Sequence, residues 1–495
     1  MGYKLNKEKF SEKEIAILRN AVDKAENKRR KKIVDSDIIR NIIKIVETFL
    51  KDNRLICYGG TAINNILPIY DQFYNKNVEL PDYDFFSSNA LNDAKKLADI
   101  YYKNGFTEVE AKAGIHYGTY KIFVNFIPVA DITQLHPDIF NTLSKDSIKI
   151  GGILYASPNF LRMASYLELS RPAGDVSRWE KILKRLILLN KHYPLKVINC
   201  HKSQFKRIFE GSQKSEENIY NVVKNSIIDQ GLVFFGGHAI YFYTKYMSKK
   251  QQIHRIESPD FDALSENPQH SAEIIREKLK RSGIKNINIV KHNNIGDIIS
   301  THYEIKVGKN TVAFLYKPLA CHSYNSIIVK GKVLKIATID TMLSFYLAFL
   351  YADKPYYDTH RILCMSQYLF KVQAKNRLEQ KGVLRRFSIN CYGKQNTLET
   401  IRANKAEKFK ELKNDKNSLE FQNYFLRYIP NEKNNYLKKS QKTIKVKKFK
   451  NSKQSNKSKK SKKSKKSNKN QTKKIKLQSK KNKTKNIFTY IKTMY

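Results

Sequence analysis

Acidic side chains are the scarcest resource of this chain: 45 Asp and Glu stand against 93 Lys and Arg, a formal net charge of +48 over 495 residues. That balance excludes an acidic or neutral surface and selects a polyanion as the class of partner. After Glu432 acidic residues disappear and 25 lysines follow; subtracting these from +48 leaves +23 for residues 1–432, so body and tail are both basic. Cysteine is sparse and odd in number. Cys57, Cys200, Cys321, Cys364 and Cys391 form no Cys-x-x-Cys pair, from which a reducing compartment is expected and structural zinc is not. Long apolar runs are missing too: the longest, Met342 to Ala352, is too short to span a bilayer. The start, Met1-Gly2-Tyr3-Lys4-Leu5-Asn6, has no signal-peptide core, and Asn6 spoils the myristoylation pattern. A soluble intracellular chain with no membrane role is the expectation.

What the chain does contain is a constellation. Leu55 to Cys57 is an apolar strand running into Tyr58-Gly59-Gly60-Thr61, a turn that opens a helix. Pro81-Asp82-Tyr83-Asp84-Phe85 follows as a second strand, and Phe123 to Ala130 as a third, ended by Asp131. Strand side chains alternate, so Asp82 and Asp84 share a face and repel one another unless a cation lies between them. Hard Mg²⁺ or Mn²⁺ is the natural occupant, and a third carboxylate, Asp131, completes a set able to hold two ions. Glycines without Cβ let a phosphate approach the N–H groups near Thr61 and Ala62. No Gly-Lys-Ser/Thr follows, which rules out a Walker loop, and the Gly-x-Gly-x-x-Gly spacing is absent. Asp175 caps a further helix on which Arg178, Lys181 and Arg185 recur at spacings of three and four, a cationic face.

At these residues the chain resembles the nucleotidyltransferase superfamily. Within it the likeness is greatest to the catalytic subunit of the poly(A) polymerases of poxviruses and other large DNA viruses, and it extends to Tyr166-Leu167-Glu168-Leu169-Ser170-Arg171-Pro172 and to Asp175-Val176-Ser177-Arg178-Trp179-Glu180-Lys181. The resemblance implies template-independent addition of AMP from ATP to an RNA 3′ end. Asp82, Asp84 and Asp131 would then be catalytic and metal-binding, with two Mg²⁺ or Mn²⁺ ions as cofactor, and Gly59, Gly60, Thr61, Arg178 and Lys181 would bind the nucleotide. It also implies RNA and ATP as partners, a homodimer or a separate viral processivity subunit, and a place in the cytoplasm of the infected cell or in the virion. Two other readings stay open: an inactive RNA-binding scaffold of the same fold, and an enzyme adding UMP or CCA. The loop from Asn65 to Leu80 has no assigned role.

The second half repeats the first. Leu232 to Ile240 echoes Leu55 to Ile63, and Ser258-Pro259-Asp260-Phe261-Asp262 echoes the Asp82 strand, at Gly-to-Asp intervals of 22 and 23 residues. Aligning Val312–Ala320 with Val124–Ala130 puts Cys321 in the place of Asp131, so the second copy is expected to lack its third carboxylate. The expected class is α/β (α+β): two tandem nucleotidyltransferase-like sheet-plus-helix domains. The expected boundaries are an N-terminal helical segment 1–36, a catalytic domain 37–192, a connection 193–225, a degenerate second domain with helical extension 226–432, and a disordered Lys-rich tail 433–495.

Overall fold

The apolar period that begins after Ser36 forms helix α1 (Asp37–Asp52), which buries Ile39, Ile42, Ile45, Val46, Phe49 and Leu50 against the first sheet. Ile38 is 43% exposed, because at 3.6 residues per turn it is Ile39 that lines up with Ile42, Val46 and Phe49. The computed structural model describes residues 12–26, 28, 36–75, 81–197, 199–200, 209–253 and 260–431. The described residues up to 431 belong to one compact unit; the tail expected to be disordered lies outside the described residues. Among the described residues no helix is long and apolar enough to cross a membrane.

After α1 come β1 (Ile56–Cys57), α2 (Gly59–Ile66), β2 (Tyr83–Ser87), α3 (Ala90–Lys103), β3 (Val109–Ala113), β4 (Thr119–Val124), β5 (Ile127–Gln134), α4 (Pro137–Asp146), β6 (Ile148–Ile150), β7 (Ile153–Tyr155), α5 (Pro158–Leu169) and α6 (Trp179–His192). The second half supplies α7 (Gln213–Asp229), β8 (Val233–Phe235), α8 (Gly236–Thr244), β9 (Phe261–Leu264), α9 (Pro268–Arg281), β10 (Ile287–His292), β11 (His302–Val307), β12 (Asn310–Tyr316), β13 (His322–Val329), β14 (Lys332–Ala337), α10 (Ile339–Phe349) and α11 (Thr359–Lys375). It ends with β15 (Cys391–Tyr392), α12 (Leu398–Leu412), α13 (Leu419–Phe425) and β16 (Arg427–Tyr428).

Strand order establishes the repeat. The first sheet runs β16-β3-β4-β5-β2-β1-β7-β6 and the second β10-β11-β12-β9-β8-β14-β13-β15. Apart from the added edge strands β16 and β15 the two are the same, down to the parallel pairs β2·β5 and β9·β12. The counterpart helices α5 and α10 pack on each other where the halves meet. There Ser157 Oγ and Tyr351 OH share a hydrogen bond of 2.6 Å, and Ser323 N–H donates to Ser170 O at 2.8 Å. Both ends of this seam are buried, so the halves share one continuous core. β16 pairs Arg427 with Lys112 and Tyr428 with Ala111, so the end of the second half closes the edge of the first sheet.

Two expectations need correction. The apolar run ended by Asp131 is not one strand: Asn125 and Phe126, at φ 50° and 65°, turn the chain between β4 and β5, and Asp131 falls mid-strand in β5. The cysteines, odd in number and without a Cys-x-x-Cys pair, point in the sequence to a reducing compartment, yet the fold brings four of them together: Cys321 bonds Cys391 and Cys200 bonds Cys364, across 70 and 164 residues, while Cys57 is a buried free thiol. Separations of that size carry no local signal of pairing.

Candidate active site

Alternation along β2 sorts its side chains as the sequence predicts. Tyr83 turns inward, 3% exposed, and donates to Glu47 Oε1 at 2.5 Å. Asp84 takes the opposite face, with Asp82 two residues before it. The parallel pairing of β2 with β5 sets Asp84 directly beside Asp131, so the third carboxylate arrives from a neighbouring strand as expected. Burial, then the charges of Asp82 and Asp131, push Asp84 up to about 7, against the opposing pull of Lys121 and Arg178. Asp82 is pushed up as well, by desolvation and then Asp131, with Lys121 and Lys181 opposing. Asp131 thus acts on both strand carboxylates, and three acidic groups so placed are the donor chemistry that a hard divalent ion fits. Among the described residues no three His, Cys, Asp or Glu side chains already converge as metal ligands; Asp131 turns its Oδ2 to Lys121 Nζ, 2.5 Å away.

The Gly-Gly turn is locked to this strand. Tyr58 N–H donates to Asp84 O at 2.9 Å, and the Thr61 hydroxyl donates to Asp82 O at 2.6 Å. Thr61 thus spends its hydroxyl on positioning Asp82. Gly59 has φ +72°, and a Cβ there would lie 2.9 Å from Asp84 Oδ2; both the backbone and the space demand glycine. At Gly60 an added Cβ would meet Tyr74 OH at 2.6 Å and Arg185 Nη1 at 2.7 Å. Arg185 was visible in the sequence as part of a cationic face but not as a group over the turn. It donates to Tyr74 OH at 2.6 Å and lies over the rings of Phe73 and Tyr74, 5.0 and 5.5 Å from their centroids. Asn64 Oδ1 accepts the N–H groups of Phe73 and Tyr74, both at 2.8 Å. Asp71 meets Lys191 and His192 on α6. The described part of the loop without a role therefore holds Arg185 above Gly60, a contact no sequence spacing announces. Arg178 pairs with Glu168 at 3.5 Å, while the charges of Arg178 and Lys181 reach Asp84 and Asp82 respectively.

The second copy keeps the turn and loses the cluster. Gly236, φ +82°, again packs against Asp262 Oδ2. The pairing of β9 with β12, however, places Phe314 beside Asp262, as Asp131 stands beside Asp84. Cys321 lies beyond β12, so its alignment with Asp131 is overturned; counting from the end of an apolar run missed the turn at Asn125. Phe314 packs among His302, Tyr316 and Tyr356. Asp260, 0% exposed, forms an ion pair with Arg361. A cavity of about 590 Å³ between α6 and α11, lined by Leu186, Asn190, Gln373 and Arg377 among others, contains none of these aspartates.

Comparison with known proteins follows the same geography. Residues 44–175, which hold the turn and all three aspartates of the first copy, match the family model for the poly(A) polymerase catalytic subunit. A chain of African swine fever virus (strain Badajoz), provisionally named a poly(A) polymerase catalytic subunit, is 35% identical over 166 residues, 32% of this chain and 34% of that one. A mimivirus chain with the same provisional name is 33% identical over 199 residues, 39% of this chain and 32% of that one. This chain thus spans about a third of the length of the curated relatives that it matches. The crystal structure of the Megavirus polyadenylate synthase is similar over 87% of this chain and 89% of that one, at a TM-score of 0.72 and 20% identity, a likeness of fold. The first copy thus carries the sequence features of the poly(A) polymerase catalytic subunit family, within a two-sheet architecture like that of a viral polyadenylate synthase.

Proposed function

We propose that this protein is a template-independent RNA 3′-end nucleotidyltransferase that adds AMP from ATP, working at the first sheet only. The observation that carries the reading is the register that sets Asp131 beside Asp84, with Asp82 on the same edge and the Gly59-Gly60 turn packed against them. Asp82, Asp84 and Asp131 would hold two Mg²⁺ or Mn²⁺ ions, which when bound would neutralise the triphosphate and make the RNA 3′-hydroxyl a better nucleophile. The rest falls to the chain itself. Gly59 and Gly60 admit the phosphates to the start of α2, and Thr61 fixes the Asp82 backbone so that both strand carboxylates face the same space. Arg185, steadied by Tyr74, offers a planar guanidinium to the phosphate oxygens, a geometry suited to paired hydrogen bonds. Chemistry of this kind needs positioning and charge neutralisation more than covalent help. The basic body supports a nucleic-acid acceptor over a small one. The viral relatives support action in an infected cell's cytoplasm or in the particle.

Incubating the full chain with an RNA primer, Mg²⁺ or Mn²⁺ and each nucleotide separately should give extension with ATP. Binding of RNA without extension by any nucleotide would favour the scaffold reading, and preference for UTP or CTP would favour the other transferases. Arg185→Ala should raise KM for ATP about tenfold or more with little change in KM for the primer, the loss of a charge-assisted contact costing about 1.5–3 kcal/mol. An unchanged KM for ATP removes Arg185 from the phosphate site.

A further inference from the structure

We propose that Lys121 is a built-in counter-cation of the carboxylate cluster, holding Asp131 when no metal ion is bound and yielding that place to the ion when one arrives. The proposal rests on reading Asp82, Asp84 and Asp131 as metal ligands. Antiparallel pairing of β4 with β5 sets Lys121 directly opposite Asp131, so both side chains leave the same face of the sheet. Nζ lies 2.5 Å from Asp131 Oδ2. The same ammonium also pulls against the upward shifts of Asp82 and Asp84, so one charge serves all three carboxylates. Its side chain is 38% exposed and that of Asp131 19%. A lysine on a flexible stem at that exposure can return to water at little cost, whereas a divalent ion brings twice the charge and room for more carboxylate oxygens.

The second copy gives the contrast. There the same strand register sets Glu304 opposite Phe314, so both members of the Lys121–Asp131 pair are replaced together. Asp260, fully buried, is instead served by Arg361, whose side chain is 15% exposed. Withdrawing that guanidinium would strand a buried charge. One fold thus holds a displaceable cation where chemistry is proposed and a fixed one where a carboxylate is missing.

The test is Mn²⁺ titration of the full chain by electron paramagnetic resonance at pH 8, without nucleotide or RNA, for the native protein, Lys121→Met, Lys121→Arg and Asp84→Asn. Lys121→Met should bind Mn²⁺ about three- to tenfold more tightly than the native protein, the scale set by one screened charge a few ångströms away, and Lys121→Arg should stay within about twofold. The metal-free Lys121→Met protein should melt slightly lower, and saturating Mn²⁺ should restore the native midpoint. Affinity for Mn²⁺ equal to or weaker than native in Lys121→Met overturns the proposal, and Lys121→Gln makes the same comparison if the methionine variant does not fold. Native protein that binds no more Mn²⁺ than Asp84→Asn sinks the metal-ligand reading itself, and the proposal with it, while Mn²⁺ binding abolished by Asp84→Asn but unmoved by Lys121→Met sinks the proposal alone.

Discussion

Asp82→Ala, Asp84→Ala and Asp131→Ala should each slow primer extension by several orders of magnitude while RNA affinity stays within about twofold, because the three carboxylates would share the ions on which the step depends. Asp84→Ala should not weaken the fold, whereas Asp131→Ala also gives up the ion pair with Lys121. Burial and its two acidic neighbours hold Asp84 up near 7, so the sign of its effect on stability is fixed. A carboxyl whose folded pKa is raised favours the folded state while protonated, and that contribution is lost as pH rises through 7. In protein treated with chelator at pH 8, Asp84→Ala and Asp84→Asn should therefore melt at or above the native temperature, the gain fading as pH falls from 7 toward the unfolded carboxylate range and gone below it. Extension assays and melting curves on the same preparations check both halves. An Asp84→Ala variant that extends RNA at near-native rate would falsify the assignment.

The opposite result for stability is expected at Asp260, the counterpart of Asp82 in the second copy. Asp260 is fully buried against Arg361, whose side chain is 15% exposed. Asp260→Ala leaves a guanidinium without its carboxylate in a dry setting, and breaking a buried pair by removing one partner costs about 3–5 kcal/mol. The variant should melt several degrees below the native protein at any pH where the carboxylate is charged. Replacing both partners, Asp260→Asn with Arg361→Met, should recover most of the loss, since neither leaves a charge behind. Asp262→Asn should keep extension within a few-fold of native, because Phe314 stands where a third ligand would be needed. Loss of extension from Asp262→Asn in a folded protein, as large as that from Asp84→Ala, would mean that the second sheet works too.

These contrary signs come from two stretches of sequence that share one pattern, and they mark the limit of what sequence alone decided. The Gly-Gly turn, the alternation that puts Asp82 and Asp84 on one face and buries Tyr83, and the doubling of the pattern at Gly236 and Asp260 were all legible, because each depends on neighbours within a strand or a turn. What escaped depends on residues far apart in the chain. The true counterpart of Asp131 is Phe314, and only strand register reveals it, since a two-residue turn at Asn125 and Phe126 divides an apolar run that reads as continuous. The approach of Tyr74 and Arg185 to Gly60 joins positions 111 residues apart, and the Arg361–Asp260 pair joins positions 101 apart. Charge could be counted from the sequence; which cation meets which carboxylate, and whether water can reach the pair, was settled by packing. A half-exposed Lys121 and a buried Arg361 read alike as letters, yet the cost of removing each from its carboxylate differs because one can be rehydrated and the other cannot.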